Sequence, residues 1–148
     1  MKTIESPEVL KIFSRLWDVE FKHSKLTYYF HKGCFPFIGK KVGQGHSRTY
    51  SLNDVISMAI VISIAKDKGI DSVTEDYEDF GKPIGTFVHS CIKDLKPGEP
   101  AILLYGGTGS PSYASGKDDV CAIINGELSE KPIKGKGIFS RGLVSLSS

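Results

Sequence analysis

Leu26-Thr27-Tyr28-Tyr29-Phe30-His31-Lys32-Gly33-Cys34-Phe35-Pro36 and, after a short basic stretch, Arg48-Thr49-Tyr50-Ser51-Leu52-Asn53-Asp54-Val55 are the two segments that decide the fold. The first reads as the end of a helix. Gly33 offers the left-handed conformation that terminates one, and Pro36 prevents its resumption. The second reads as the start of another: Ser51 can cap it, with Asp54 three residues on in place of the usual Glu or Gln of a capping box. Between them Lys40, Lys41 and Arg48 flank Gly39, Gly43 and Gly45, a pattern expected of a hairpin tip with cations aimed outward.

Working outward, Ser6 and Pro7 mark a helix start, and Val9, Leu10, Ile12, Phe13, Leu16 and Trp17 follow at helical spacing, giving a first helix of about three turns. Asp18 to Phe21 is the expected turn, and Ser24 opens a second helix running to Lys32. The helix after Ser51 should run to Lys68 and stop at Gly69. Its interior, from Val55 to Ala65, is apolar on nearly all sides and must be covered all round, by the first helix on one side and by the C-terminal half or a second subunit on the other. Asp71 to Asp79 is acidic and solvent-facing. Ile84, Phe87, Val88, Cys91, Ile92 and Leu95 then form an amphipathic helix ended by Pro97-Gly98. Strand-like runs follow at Ala101 to Tyr105, Val120 to Ile124 and Ile138 to Leu146, with Gly106 to Lys117 read as a loop.

The two opening segments, in this order and at this separation, resemble the DNA-binding domain of the MerR family. There a helix-turn-helix ends in Leu-Arg-Tyr-Tyr-x-x-x-Gly-Leu-x-Pro, a two-stranded wing follows, and Arg-x-Tyr-Ser-x-x-Asp leads into the next helix. The resemblance covers about residues 6 to 70, as far as the helix signals extend. It implies a winged helix-turn-helix over 1–70; the helix and strand-like runs that follow make 71–148 a helix plus a small β-rich part, expected to serve dimerisation or an effector, so the expected fold class is α+β. The resemblance also implies that Leu26 and Tyr29 are core, that Thr27 occupies the family's arginine position, and that Tyr28 and Arg48 approach the DNA backbone, while Tyr50 either does so too or packs inside beside Trp17. Threonine binds bases and phosphates more weakly than a bidentate arginine. The long heptad coiled coil through which family members dimerise is not found after residue 70.

Composition supports a nucleic-acid partner. The 148 residues carry a net charge of only +2, yet residues 1–50 hold nine Lys or Arg against four Asp or Glu, and residues 51–100 hold five against nine. A basic cluster attracts polyanions and raises association rates. With the second helix set in the major groove, the expected DNA-contacting residues are Lys22, His23, Lys25, Thr27, Tyr28, Lys32, Lys40, Lys41, Arg48 and Tyr50. The expected partners are double-stranded DNA and a second copy of the chain, because paired half-sites multiply affinity and specificity. A small-molecule effector stays open.

Other chemistry finds little support. The N-terminal residues lack the apolar stretch of a signal peptide, and the longest apolar run is shorter than the roughly 20 residues a membrane span needs, so a soluble cytoplasmic protein is expected. Cys34, Cys91 and Cys121 are odd in number and widely spaced, implying neither disulfides nor a zinc site. His89 and Cys91 fall about 200° apart on their helix, at ~100° per residue, so no metal site is expected. The stretch Gly106 to Lys117 misses the phosphate-loop pattern, since Gly116-Lys117 is followed by Asp118. The neighbouring Asp118 and Asp119 would point to opposite faces of a strand, and Ser140 and Ser145 have no evident base. No catalytic residue, cofactor or enzyme activity is expected. Two alternatives remain: an excisionase-like accessory factor of a mobile element, and a protein-interaction or ligand-binding module on a winged-helix scaffold that has lost DNA binding.

Overall fold

A computed structural model describes residues 3–39, 48–76 and 81–94 in full, together with the backbone of strands at 101–104, 112–115, 136–140 and 143–147. Its architecture is α+β. In chain order it comprises β1 (Ile4–Glu5), α1 (Ser6–Trp17), α2 (His23–His31), β2 (Thr49–Tyr50), α3 (Leu52–Lys68), α4 (Asp71–Thr74), α5 (Ile84–Asp94), β3 (Ala101–Leu104), β4 (Ser112–Ser115), β5 (Lys136–Ser140) and β6 (Leu143–Ser147). Lys40, Lys41, Gly43, Gly45 and the run from Val120 to Ile124 lie outside the described residues, so the expected hairpin tip and that strand are not described.

Helix α3 is the centre of the fold. The Ser51 hydroxyl accepts from the Asp54 amide at 3.1 Å, and Asp54 Oδ2 accepts from the Ser51 amide at 3.0 Å, so two otherwise unpaired amides are satisfied. The helix ends at Gly69, whose φ of 94° favours glycine. Every residue from Val55 to Ile62, with Ile64 and Ala65, is buried. Helices α4 and α5 and strands β2 and β6 pack against it. The cover that the sequence left open therefore comes from within one chain, and the side of α3 expected to pair with a second subunit is occupied.

Around this helix the core gathers Val9 and Phe13 from α1, Leu26 and Tyr29 from α2, and Ile84, Val88 and Ile92 from α5. Phe13, Trp17 and Phe21 form an aromatic cluster with ring centroids 5.1 to 5.6 Å apart, which closes the bend between α1 and α2. Asp18 takes the left-handed conformation at φ 51°. The Ser14 hydroxyl supports the bend by accepting from the Phe21 amide at 2.9 Å while donating to the Leu10 carbonyl.

Several expectations are corrected. Glu5, not Ser6, occupies the cap position of α1, and α2 has Lys22 at its cap with Ser24 as an early residue, neither cap making a side-chain bond. Of the apolar residues at helical spacing on α1, only Val9 and Phe13 are buried, and Ile12 and Leu16 are 39% and 38% exposed. Thr49–Tyr50 pairs antiparallel with Ile4–Glu5, tying the start of the chain to the entry of α3. The stretch read as a loop contains β4, which backbone pairing to β3 holds in a four-stranded antiparallel sheet ordered β4-β3-β5-β6. The single run from Ile138 to Leu146 is two strands, paired antiparallel with Ser140 opposite Leu143.

Replacing Phe13, fully buried and in contact with two aromatic rings, with alanine should cost about 3 to 5 kcal/mol of folding stability by the usual cavity penalty. Urea unfolding measures this, and a loss under 1 kcal/mol would mean that the aromatic cluster is not structural.

Candidate nucleic-acid interface

Helix α2 contributes only Leu26 and Tyr29 to the buried core. With ~100° between successive residues, those two define its inward side and leave the rest to face out. Lys22, His23, Ser24, Lys25, Thr27, Tyr28, His31 and Lys32 are all exposed. Six of the expected contact residues thus share one helix surface. Tyr29, by contrast, is 4% exposed, and burial, with the neighbouring Cys34 and Tyr28, raises its hydroxyl pKa.

The two flanks of that surface are built differently. On one, the Lys25 ammonium lies 5.9 Å from the ring centroids of both Tyr28 and Tyr29, and that of Lys32 lies 5.7 Å from Tyr28. Such cation–π contacts hold a charge in place while leaving it in water. On the other, Arg48 projects from the entry to β2 with its guanidinium 4.3 Å above the Phe30 ring, and its Nη1–H donates to the Gly39 carbonyl at 3.1 Å. Between Arg48 and the start of α1 a cleft of about 300 Å³ opens, walled by Ser6, His23 and Thr27 over a floor of Leu26, Phe30 and Tyr50.

For Tyr50, expected either to contact phosphate or to pack inside, the packed position is the one found, against Phe30. Tyr50 is 1% exposed, its ring centroid 6.3 Å from that of Phe30, because pairing of β2 with Ile4–Glu5 turns it inward. It shapes the floor of the cleft and supports Phe30 under Arg48; it does not reach outward to a phosphate. Lys40 and Lys41 lie outside the described residues.

Lys66 was missed by the sequence reading. It stands in the last turn of α3, where a cation is ordinarily explained by the helix dipole. In space its ammonium lies 4.0 Å from the Trp17 ring centroid. Its pKa is lowered, first by partial burial and then by the charge of Lys25. Neither lysine meets a carboxylate at ion-pair distance among the described residues. No local sequence signal links positions 25 and 66; only the packing of α1 between them does so.

His89 and Cys91 diverge, as their spacing requires. Cys91 is buried, while His89 bonds Asp54 at 2.9 Å. Among the described residues no group of three or more His, Cys, Asp or Glu is placed to hold a metal, and no helix is long and apolar enough to cross a membrane. Comparison with protein-family models, with curated proteins and with solved structures returns no match.

Burial pushes the Cys34 thiol up to about 11 and the Cys91 thiol up to about 12. Both are thus protonated and unreactive in the native state at neutral pH. Mass spectrometry after iodoacetamide treatment at pH 8 should find both unmodified until denaturant is added. For Cys34, whose thiol ordinarily titrates near 9.0, the unfolded chain releases its proton first on raising the pH. Its contribution to stability is therefore full below pH 9 and is lost between about pH 9 and 11. Rapid native-state alkylation of either thiol would refute this placement.

Proposed function

We propose that the protein is a small duplex-DNA-binding regulator that lays the exposed surface of α2 along the major groove. The single observation that carries this reading is the outward face of α2. A nine-residue helix presents His23, Thr27, Tyr28 and His31 for base edges between flanks of cations. Lys25, Lys32 and Lys66 supply one flank, and Arg48 supplies the other. Cations on both sides of a helix suit a groove bordered by two phosphate backbones. The resemblance of the 26–36 and 48–55 segments to the MerR family supports the same docking, with the Gly39 to Arg48 segment as the wing. Homodimerisation belongs to the proposal, with the C-terminal sheet as the region assigned to it.

A protein-interaction module is the second reading. It is favoured by Ile12 and Leu16, one turn apart on α1, and by Val19 just beyond its end, each at least 38% exposed.

Fluorescence anisotropy on random duplex DNA across a salt series separates the two. In the DNA reading log K falls linearly with log salt, at a slope of about 0.9 for each phosphate neutralised. Arg48→Ala and Lys66→Ala should each shallow it by about 1. Tyr50→Phe, which keeps the floor of the cleft, should leave the slope unchanged. Absence of binding at low salt would leave the protein-interaction reading standing.

A further inference from the structure

Helix α5 lies outside the 26–36 and 48–55 segments, yet His89 and Gly85 bring it against Cys34, Phe37 and Asp54. His89 presents its ring to Phe37, with centroids 4.9 Å apart and planes within 13°. Its Nε2 lies 2.9 Å from Asp54 Oδ1. A carboxylate can only accept, so Nε2–H is the donor. Asp54 is thus divided between two tasks: Oδ1 holds α5, and Oδ2 caps α3 through the Ser51 amide. One turn before His89, Gly85 fits beneath the same phenyl ring. A Cβ there would stand 3.0 Å from Phe37 Cε1 and 3.2 Å from the Cys34 carbonyl oxygen.

From these contacts three short routes lead to Arg48. Phe37 touches Phe35 at 6.0 Å, Phe35 meets Phe30 edge-on at 4.9 Å, and the Arg48 guanidinium rests on Phe30. Two residues beyond Phe37, the Gly39 carbonyl accepts the hydrogen bond from Arg48. Through Asp54, His89 also secures the Ser51 cap, three residues after Arg48. Contiguous packing of this kind is the arrangement through which coupling can travel, and measured coupling is what establishes it.

We propose that His89, held between Phe37 and Asp54, is the positioning residue through which α5 fixes the place of Arg48, so that α5 is the control point for the cationic flank of the α2 surface. The effect on DNA rests on the function proposed above; the effect on Arg48 does not. A partner or ligand that tilts α5 would act on the surface through this junction, without touching α2.

The test uses the full chain with His89→Ala, His89→Gln and Gly85→Ala, each also combined with Arg48→Ala. Proton–nitrogen NMR reads the Arg48 Nε–H resonance, which the Phe30 ring current displaces, and thermal unfolding confirms that each variant is folded. In His89→Ala the resonance should move toward the position of a free arginine. Glutamine, which can still donate to Asp54, should restore it. Gly85→Ala should move it as well, by forcing Phe37 from its seat, and it serves as the probe should His89→Ala fail to fold. On DNA, His89→Ala should weaken binding roughly 2- to 30-fold, the range of coupling effects carried through packed networks, and should add nothing once Arg48 is alanine. An unmoved Arg48 resonance in folded His89→Ala or Gly85→Ala overturns the proposal, as do losses that multiply with Arg48→Ala. If the wild-type chain binds no DNA, the resonance alone decides: a shift upholds the junction while the DNA reading falls, and no shift refutes the junction as well.

Discussion

Helix α3 buries ten of its 17 residues, and a helix apolar on every side has to be covered on every side. That requirement organises the protein. Strand β2, helices α4 and α5 and strand β6 pack against it, and Val9, Phe13, Leu26 and Tyr29 from α1 and α2 join the same core. Its first turn is equally constrained, because the Ser51–Asp54 capping box sets where the helix begins. The strand leading into it then emerges beside β1 with Tyr50 turned into the core. Arg48, two residues earlier, is left at the surface.

The character of α2 follows from the same economy of cover. Since α1 and α3 already fill the interior, α2 contributes two side chains to it and exposes the remainder. A short helix that is polar over most of its circumference gains little from propensity alone, so its place is secured by neighbours. Leu26 and Tyr29 anchor it from beneath, and Phe30 and Phe35 hold its end. Lys25, Lys32, Arg48 and Lys66 each lie over an aromatic ring. The cations are thereby positioned before any partner arrives, which lowers the ordering cost of binding.

Much of this was legible in the sequence because the signals are local. Gly33, Ser51 with Asp54, and Gly69 mark helix ends by their own chemistry, and the 84–92 periodicity marks α5. What escaped depends on tertiary placement. Tyr50 carries the same side chain whether it faces DNA or the core, and only its pairing with Ile4 decides between them. The nearness of Lys66 to Lys25 and Trp17 requires three helices to be packed first. Likewise the exposure of Ile12 and Leu16 follows from how few positions of α1 the core accepts. Strand β4, with its serines at 112 and 115, owes its form to pairing with β3 rather than to propensity.

The most direct test of the central claim is a map of backbone amide shifts as a short random duplex is titrated into the isotope-labelled full chain. If α2 is the reading element, the largest changes fall on residues 22–32, with Arg48 and Lys66, while α5 shifts less. Changes confined to the exposed stripe of α1 or to the C-terminal strands, with α2 silent, would contradict it.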